Sequence, residues 1–141
     1  MKVLKVVSIL VLWLAAASAA FAQQANQRQA YVFGYAKNAM LVATGQAPHE
    51  MQSHVNWAMG QTVPTLRSEW RRMTGITEQN VPRLNRAQLA HVFGYLKNAV
   101  LVDGGQRPHD HNGHVGWANS QQPDVVRGEI VRIIRSGYQS F

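Results

Sequence analysis

The sequence predicts an all-α protein, and three observations support this fold class. Apolar residues recur at helical spacing in long segments, and Asn before and Gly after those segments are typical of helix ends. No segment of useful length shows the apolar–polar alternation of a strand. Much of the chain also occurs twice, which predicts a tandem duplication of a three-helix unit, packed as one pseudo-two-fold helical domain.

The repeat has an offset of 60 residues. The segment Val32–Tyr35 returns as Val92–Tyr95, and 21 of the 43 positions from 31 to 73 are identical to their partners at 91–133, without a gap. Repeats of this length indicate that one supersecondary unit has been built twice. We therefore predict a first helical repeat unit at residues 23–80 and a second at residues 81–141.

Residues 1–22 have the composition of a signal peptide. Lys2 and Lys5 precede an apolar run, and Ala20-Phe21-Ala22 is an A-x-A cleavage pattern. The apolar run is shorter than the roughly 20 residues that a spanning helix needs. The segment resembles a bacterial secretory signal, so the remaining chain is predicted to be soluble and periplasmic or secreted.

The composition excludes several classes of site. The chain has no cysteine, which rules out disulfides, thiolate metal sites, covalently attached haem and cysteine nucleophiles. Removal of residues 1–22 takes away two lysines, so the formal net charge falls from +7 to +5. Such a charge favours anionic envelope polymers or acidic partner proteins. Without a Lys/Arg block, nucleic acid is not an expected ligand.

The first helix of each unit is predicted at residues 27–44 and 86–103, behind Asn26 and Asn85 as caps. Each is apolar on nearly all sides, which is typical of a buried helix. We therefore expect these two helices to be central and to pack near each other. The narrow polar arc that remains on the first of them contains Gly34, Lys37 and Asn38.

Two further helices are predicted in each unit. Short helices at about 54–59 and 114–119 contain Trp57 and Trp117, which we expect to be core residues. Third helices begin near Pro64 and Pro123, since proline suits a first helical turn. The segment 74–85, which contains Gly, Pro and Asn, is predicted to be an ordered connector between the units.

Histidines are the residues most concentrated in one place. The second unit contains His109, His111 and His114 within six residues, and the first unit keeps His49 and His54. Imidazole is a good ligand for zinc, copper and nickel, so these five residues are candidate metal ligands. The alternative is that they cap helices, stack on the tryptophans or bond backbone carbonyls.

A second candidate site is an anion- or ligand-binding groove formed by Lys37, Lys97, Asn38 and Asn98 between the units. The alternative is that both lysines extend outward into water. The chain contains no G-x-S-x-G, Walker A or dinucleotide-binding turn, and its seven carboxylates form no convincing acid/base pair. The sequence thus favours a binding protein over an enzyme. We expect the protein to bind either a divalent metal ion or, without metal, an anionic envelope component or partner protein.

Overall fold

The structure, a computed structural model, describes residues 22–137 together with 140 and 141. Within these residues it confirms the all-α prediction, because the only strand-like pairing is an isolated bridge between Gln24 and Thr62. In chain order, the α-helices are α1 (Gln27–Ala43), α2 (Met51–Met59), α3 (Val63–Asn80), α4 (Arg86–Asp103), α5 (His111–Ser120) and α6 (Pro123–Ser136). A single 3₁₀ turn, Val81–Arg83, joins α3 to the segment before α4.

The signal-peptide prediction lies outside the described residues, apart from its last residue, Ala22. Among the helices that the structure does describe, none combines the length and the apolar character needed to cross a membrane.

The predicted caps of the two long helices are confirmed. The Asn26 side chain accepts a hydrogen bond from the Gln29 backbone N–H, and the Gln29 side chain accepts one from the Asn26 N–H. Asn85 and Gln88 make the same reciprocal pair at the start of α4. Such a capping box satisfies two of the N–H groups that have no partner inside the helix, which explains why both helices begin where they do.

Three predicted boundaries were wrong. Helices α2 and α5 begin at Met51 and His111, each three residues earlier than expected and shortly after a loop residue whose backbone bonds to the preceding long helix. Helix α3 continues through the predicted connector as far as Asn80. The hydroxyls of Thr74 and Thr77 donate hydrogen bonds to the carbonyls of Trp70 and Met73 one turn earlier in the same helix. Neither threonine therefore ends the helix.

The long helices α1 and α4 lie at the centre and pack against each other. Each also packs against the short helix that follows it, and α1 contacts α3 as α4 contacts α6. Alanines make the close approach possible. Ala99 of α4 is fully buried among first-unit residues, while Ala39 and Ala43 of α1 belong to the apolar cluster of the second unit. The two cores are therefore continuous across the α1–α4 contact.

Gly34 and Gly94 provide the space in which α2 and α5 approach the central helices. A Cβ added at Gly34 would lie 2.8 Å from Cε of Met51, whereas one at Gly94 would lie 2.7 Å from Cε1 of His111. Both distances are shorter than real Cβ contacts, so the neighbouring side chain has to move. Met51 ends in a flexible thioether, but the His111 ring is rigid.

We therefore expect unequal effects from the same substitution. Gly34→Ala should change the free energy of unfolding by less than about 1 kcal/mol, because the roughly 1 kcal/mol gain in helix propensity offsets the displacement of the Met51 methyl group and a small shift of the His54 Cβ, 3.2 Å from the added carbon. Gly94→Ala should destabilise by about 1–3 kcal/mol because it displaces a packed ring. Urea unfolding of both variants measures the difference, and equal effects would contradict this account of the packing.

Candidate functional site

A buried asparagine fastens the loop between α1 and α2. Asn38, 1% exposed, donates from Nδ2 to the His49 carbonyl at 3.0 Å and accepts from the His49 N–H at 2.9 Å. Its Oδ1 is also 2.8 Å from Nε2 of His54. The side chain therefore holds both peptide groups that flank one loop residue, His49, and one imidazole of α2, and we refer to Asn38, His49 and His54 as the first latch.

The second unit has the same arrangement, which we call the second latch. Asn98 donates to the His109 carbonyl at 3.0 Å and accepts from the His109 N–H at 2.9 Å. Nε2 of His114 lies 2.9 Å from Asn98 Oδ1. In both units the amide is fully occupied, so neither asparagine offers it to a ligand.

The latch determines where the imidazole proton lies. Since Nδ2 of Asn38 donates to a carbonyl and its Oδ1 accepts an N–H, the amide orientation is fixed, and Nε2 of His54 has to be the donor. Burial lowers the pKa of His54 to about 4, assisted by the positive potential of His49 and Lys37. The ring is therefore neutral at pH 7, with its lone pair on Nδ1. Burial also lowers the pKa of His114, and the positive potential of His109 and Lys97 lowers it further.

A groove opens beside the first latch, and it consists only of first-unit residues. Its volume is about 200 Å³, and it is lined by Phe33, Lys37, His54, Trp57 and Glu69. The Trp57 ring stacks on Phe33 with a centroid distance of 5.0 Å and remains 46% exposed. We call this the first groove. It corrects the prediction that Trp57 is a core residue, and it places Lys37 within its own unit rather than between the units.

The second groove has a volume of about 340 Å³ and the same five residue types. It is lined by Phe93, Lys97, His109, His114, Trp117 and Glu129. The Trp117 ring lies 4.8 Å from Phe93 and is 41% exposed, so this tryptophan is not a core residue either. Two similar grooves thus accompany the two latches.

The charge in the grooves is incompletely paired. Glu69 binds Arg72 with a shortest N–O distance of 2.8 Å, and this hydrogen bond lowers the pKa of Glu69. Lys37 and Lys97 are half-buried, yet neither ammonium forms an ion pair within 4.0 Å with any residue that the structure describes. Each groove therefore presents one uncompensated positive charge next to an exposed indole.

The five candidate metal ligands do not converge. His49 stacks on His54, and His109 stacks on His114, each pair with centroids 5.3 Å apart. His111 points elsewhere, with its Nε2 2.9 Å from Nδ1 of His91. In the described part of the chain, no group of three or more His, Asp or Glu side chains is placed to hold a metal ion.

Sequence reasoning therefore identified Lys37 and Lys97 but missed the aromatic part of each groove. A signal was present, because Phe, Lys, His, Trp and Glu all recur at the 60-residue offset. His91 was missed as well, since its counterpart in the first unit is Tyr31 and its partner lies 20 residues away.

Protein-family models, curated proteins and solved structures were compared with this chain, and none matches it. Function has to be inferred from the grooves themselves.

Proposed function

We propose that this chain is an exported, metal-free binding protein, and that each groove binds an anionic group attached to a ring-shaped body. One observation carries the proposal: a half-buried lysine that forms no ion pair within 4.0 Å among the described residues lies beside a supported, exposed tryptophan, and this pair occurs twice. An unpaired ammonium near a protein surface attracts an anion, and an indole face offers a flat apolar platform.

The surrounding groups favour an anionic over a cationic ligand. In the first groove, Glu69 bonds to Arg72 and is also near Lys37, whose charge lowers the Glu69 pKa too, so these three groups carry one net positive charge. His54 is neutral at pH 7 because its pKa is low, so this positive charge comes from Lys37 and Arg72. Phe33 supports one face of Trp57, which holds the indole in place without closing the groove.

We also infer that the two units arose by tandem duplication and are related by an approximate two-fold axis. The 21 identical positions support this, as do the latches, whose three distances agree within 0.1 Å between the units. Duplicated grooves suit a repeating ligand, because a second contact made by the same molecule is intramolecular and raises the overall affinity. The occupant that we propose is a segment of an anionic envelope polymer with acidic sugar rings.

The alternative of a divalent metal on His109, His111 and His114 requires His111 to leave His91 or to bind through its buried Nδ1, and it requires three rings that do not converge to turn towards one point. No contact among the described residues favours metal binding by these histidines over ligand binding in the grooves.

The test is binding of oligogalacturonate to purified protein, measured by calorimetry at roughly 50 mM salt, where charge interactions are weakly screened. We expect Lys37→Met/Lys97→Met to weaken binding at least tenfold, since a hydrogen bond to a charged group is worth about 1.5–3 kcal/mol. Trp57→Ala/Trp117→Ala should weaken it similarly by removing the platform.

Matched controls separate the grooves from net charge. Arg83→Gln/Arg107→Gln removes two exposed positive charges outside the grooves and should change affinity less than threefold. Polyglutamate tests for an acidic protein partner, and zinc chloride tests for the metal. The proposal is wrong if both double charge variants weaken binding equally, if polyglutamate binds as tightly as oligogalacturonate, or if only zinc binds.

A further inference from the structure

A cavity separate from both grooves lies where the first unit meets the second. It is open to solvent on one side, its volume is about 310 Å³, and mostly apolar surface from the end of α1, the following loop, α4 and α5 borders it. We call it the junction cavity. Gln46 and Gln88 line it, with their side-chain amides donating to Thr44 and to the Val42 carbonyl, and the other lining residues are Val42, Pro48, Ala87, His91, Tyr95 and His111. No lysine, arginine or carboxylate lines it.

One wall of the junction cavity consists of three rings. The His111 ring stacks on Tyr95 with centroids 4.2 Å apart, and it meets the His91 ring edge to edge, with centroids 5.1 Å apart. It also fits against α4 at Gly94, where a Cβ would clash with it. The first unit has Tyr31 and Met51 at the positions of His91 and His111, so the imidazole pair belongs to the second unit alone.

The hydrogen bonds of His111 and His91 determine which of their ring nitrogens are protonated. Nδ1 of His111 is buried and has no partner among the described residues. A buried N–H without an acceptor costs about 1–3 kcal/mol, so Nδ1 is the unprotonated nitrogen. His111 then has its proton on Nε2 and donates it to Nδ1 of His91 at 2.9 Å. His91 in turn has its own proton on Nε2, which is left as a donor.

The same geometry excludes a metal between the two rings. The centroid separation of 5.1 Å is close to the 2.9 Å nitrogen separation plus the two ring radii, so the nitrogens face each other almost head-on. Two in-line metal–nitrogen bonds of about 2.0 Å each would need nitrogens about 4 Å apart. The contact is a hydrogen bond.

We propose that the junction cavity binds a small, uncharged, mainly apolar molecule that has one hydrogen-bond acceptor. Its volume is at the lower end of the range for ligand pockets, about 300–1,000 Å³, which limits the ligand to one or two rings. The apolar wall disfavours ions, because no charged side chain lines it to pair with them. The Nε2–H of His91 is the donor that an acceptor such as a carbonyl would meet.

The probe for this site is acetophenone, titrated at pH 7.5 into ¹⁵N-labelled purified protein and followed by NMR. We expect saturable shifts of the Ala87, His91 and Tyr95 amides and of the His91 ring nitrogens. Benzoate and benzylammonium, which have similar ring size but carry charge, should bind at least tenfold more weakly. Ethylbenzene, which lacks an acceptor, should bind about 3- to 10-fold more weakly, as expected for one hydrogen bond.

Two variants make the proposal falsifiable. His91→Phe keeps a ring but removes the donor, so acetophenone should bind it no better than ethylbenzene does, while Tyr31→Phe in the first unit should have no effect. Ala87→Met fills the cavity from an exposed helix position and should abolish binding without loss of helicity. Shifts confined to the grooves, unchanged affinity in Ala87→Met, or no saturable shift would overturn the proposal.

Discussion

Replacement of Asn98 by leucine is expected to lower the free energy of unfolding by about 3–5 kcal/mol. Asn98 is 2% exposed and forms three hydrogen bonds, two with the His109 peptide groups and one with His114. Leucine has a similar size but leaves the His109 N–H, the His109 carbonyl and the Nε2–H of His114 without their partner, and each buried group left unpaired costs about 1–3 kcal/mol. Few single substitutions have effects this large.

Urea unfolding followed by circular dichroism measures this effect. Asn112→Leu is the matched control, because the same substitution at an exposed position of α5 should change stability by less than about 0.5 kcal/mol. A loss below about 1 kcal/mol for Asn98→Leu would show that water or a shifted loop replaces the latch. Asn38→Leu/Asn98→Leu combines two separate latches, and its cost should approach the whole stability of a small domain, about 5–15 kcal/mol.

The latches also show what the sequence could and could not predict. The presence of helices and the starts of α1 and α4 depend on contacts between residues close in sequence, such as Asn26 with Gln29. Sequence patterns a few residues long therefore predict them. The sequence places Asn38 on a narrow polar arc of its helix. A helical wheel shows on which face a residue lies, but it does not show which other element packs against that face. Its partners lie 11 and 16 residues away, and only the folded loop brings them together.

The histidines were misjudged for a similar physical reason. Spacing along a helix indicates whether His111 and His114 share a face, but it says nothing of a competing partner on another helix. His91 is that partner, and it draws His111 away from His114. Trp57 illustrates the opposite case: its apolar character predicts burial, but Phe33 supports only one face and leaves the rest of the ring in the groove.

Acidification from pH 7.5 to 5 is expected to destabilise the fold, by about 2 kcal/mol through His54 and further through His111 and His114. Burial is the first cause of the lowered pKa of His54, His111 and His114, and for His54 the value falls from 6.5 to about 4. Groups with a lowered pKa bind fewer protons in the folded than in the unfolded state. Their stability contribution is therefore complete above pH 6.5 and is lost as the pH falls towards the folded pKa. For His54 the full loss is about 3 kcal/mol at most.

Each latch supplies the mechanism for this loss. In the first latch, Nε2 of His54 already donates to Asn38, so an added proton has to go to Nδ1. That proton places a positive charge beside His49 and Lys37, the two groups whose charge already lowers the pKa. In the second latch Asp110 partly opposes the effect on His114, so His54 should be the more sensitive of the two.

The measurement is the free energy of unfolding in urea at several pH values between 7.5 and 5, a range in which the carboxylates remain ionised. His54→Gln is the informative variant, because glutamine can still donate to Asn38 but does not titrate. It should reduce the slope of stability against pH by up to about 1.4 kcal/mol per pH unit, the value for one proton. If wild-type stability were flat over this range, or if His54→Gln left the slope unchanged, the buried histidines would not be what makes the fold sensitive to acid.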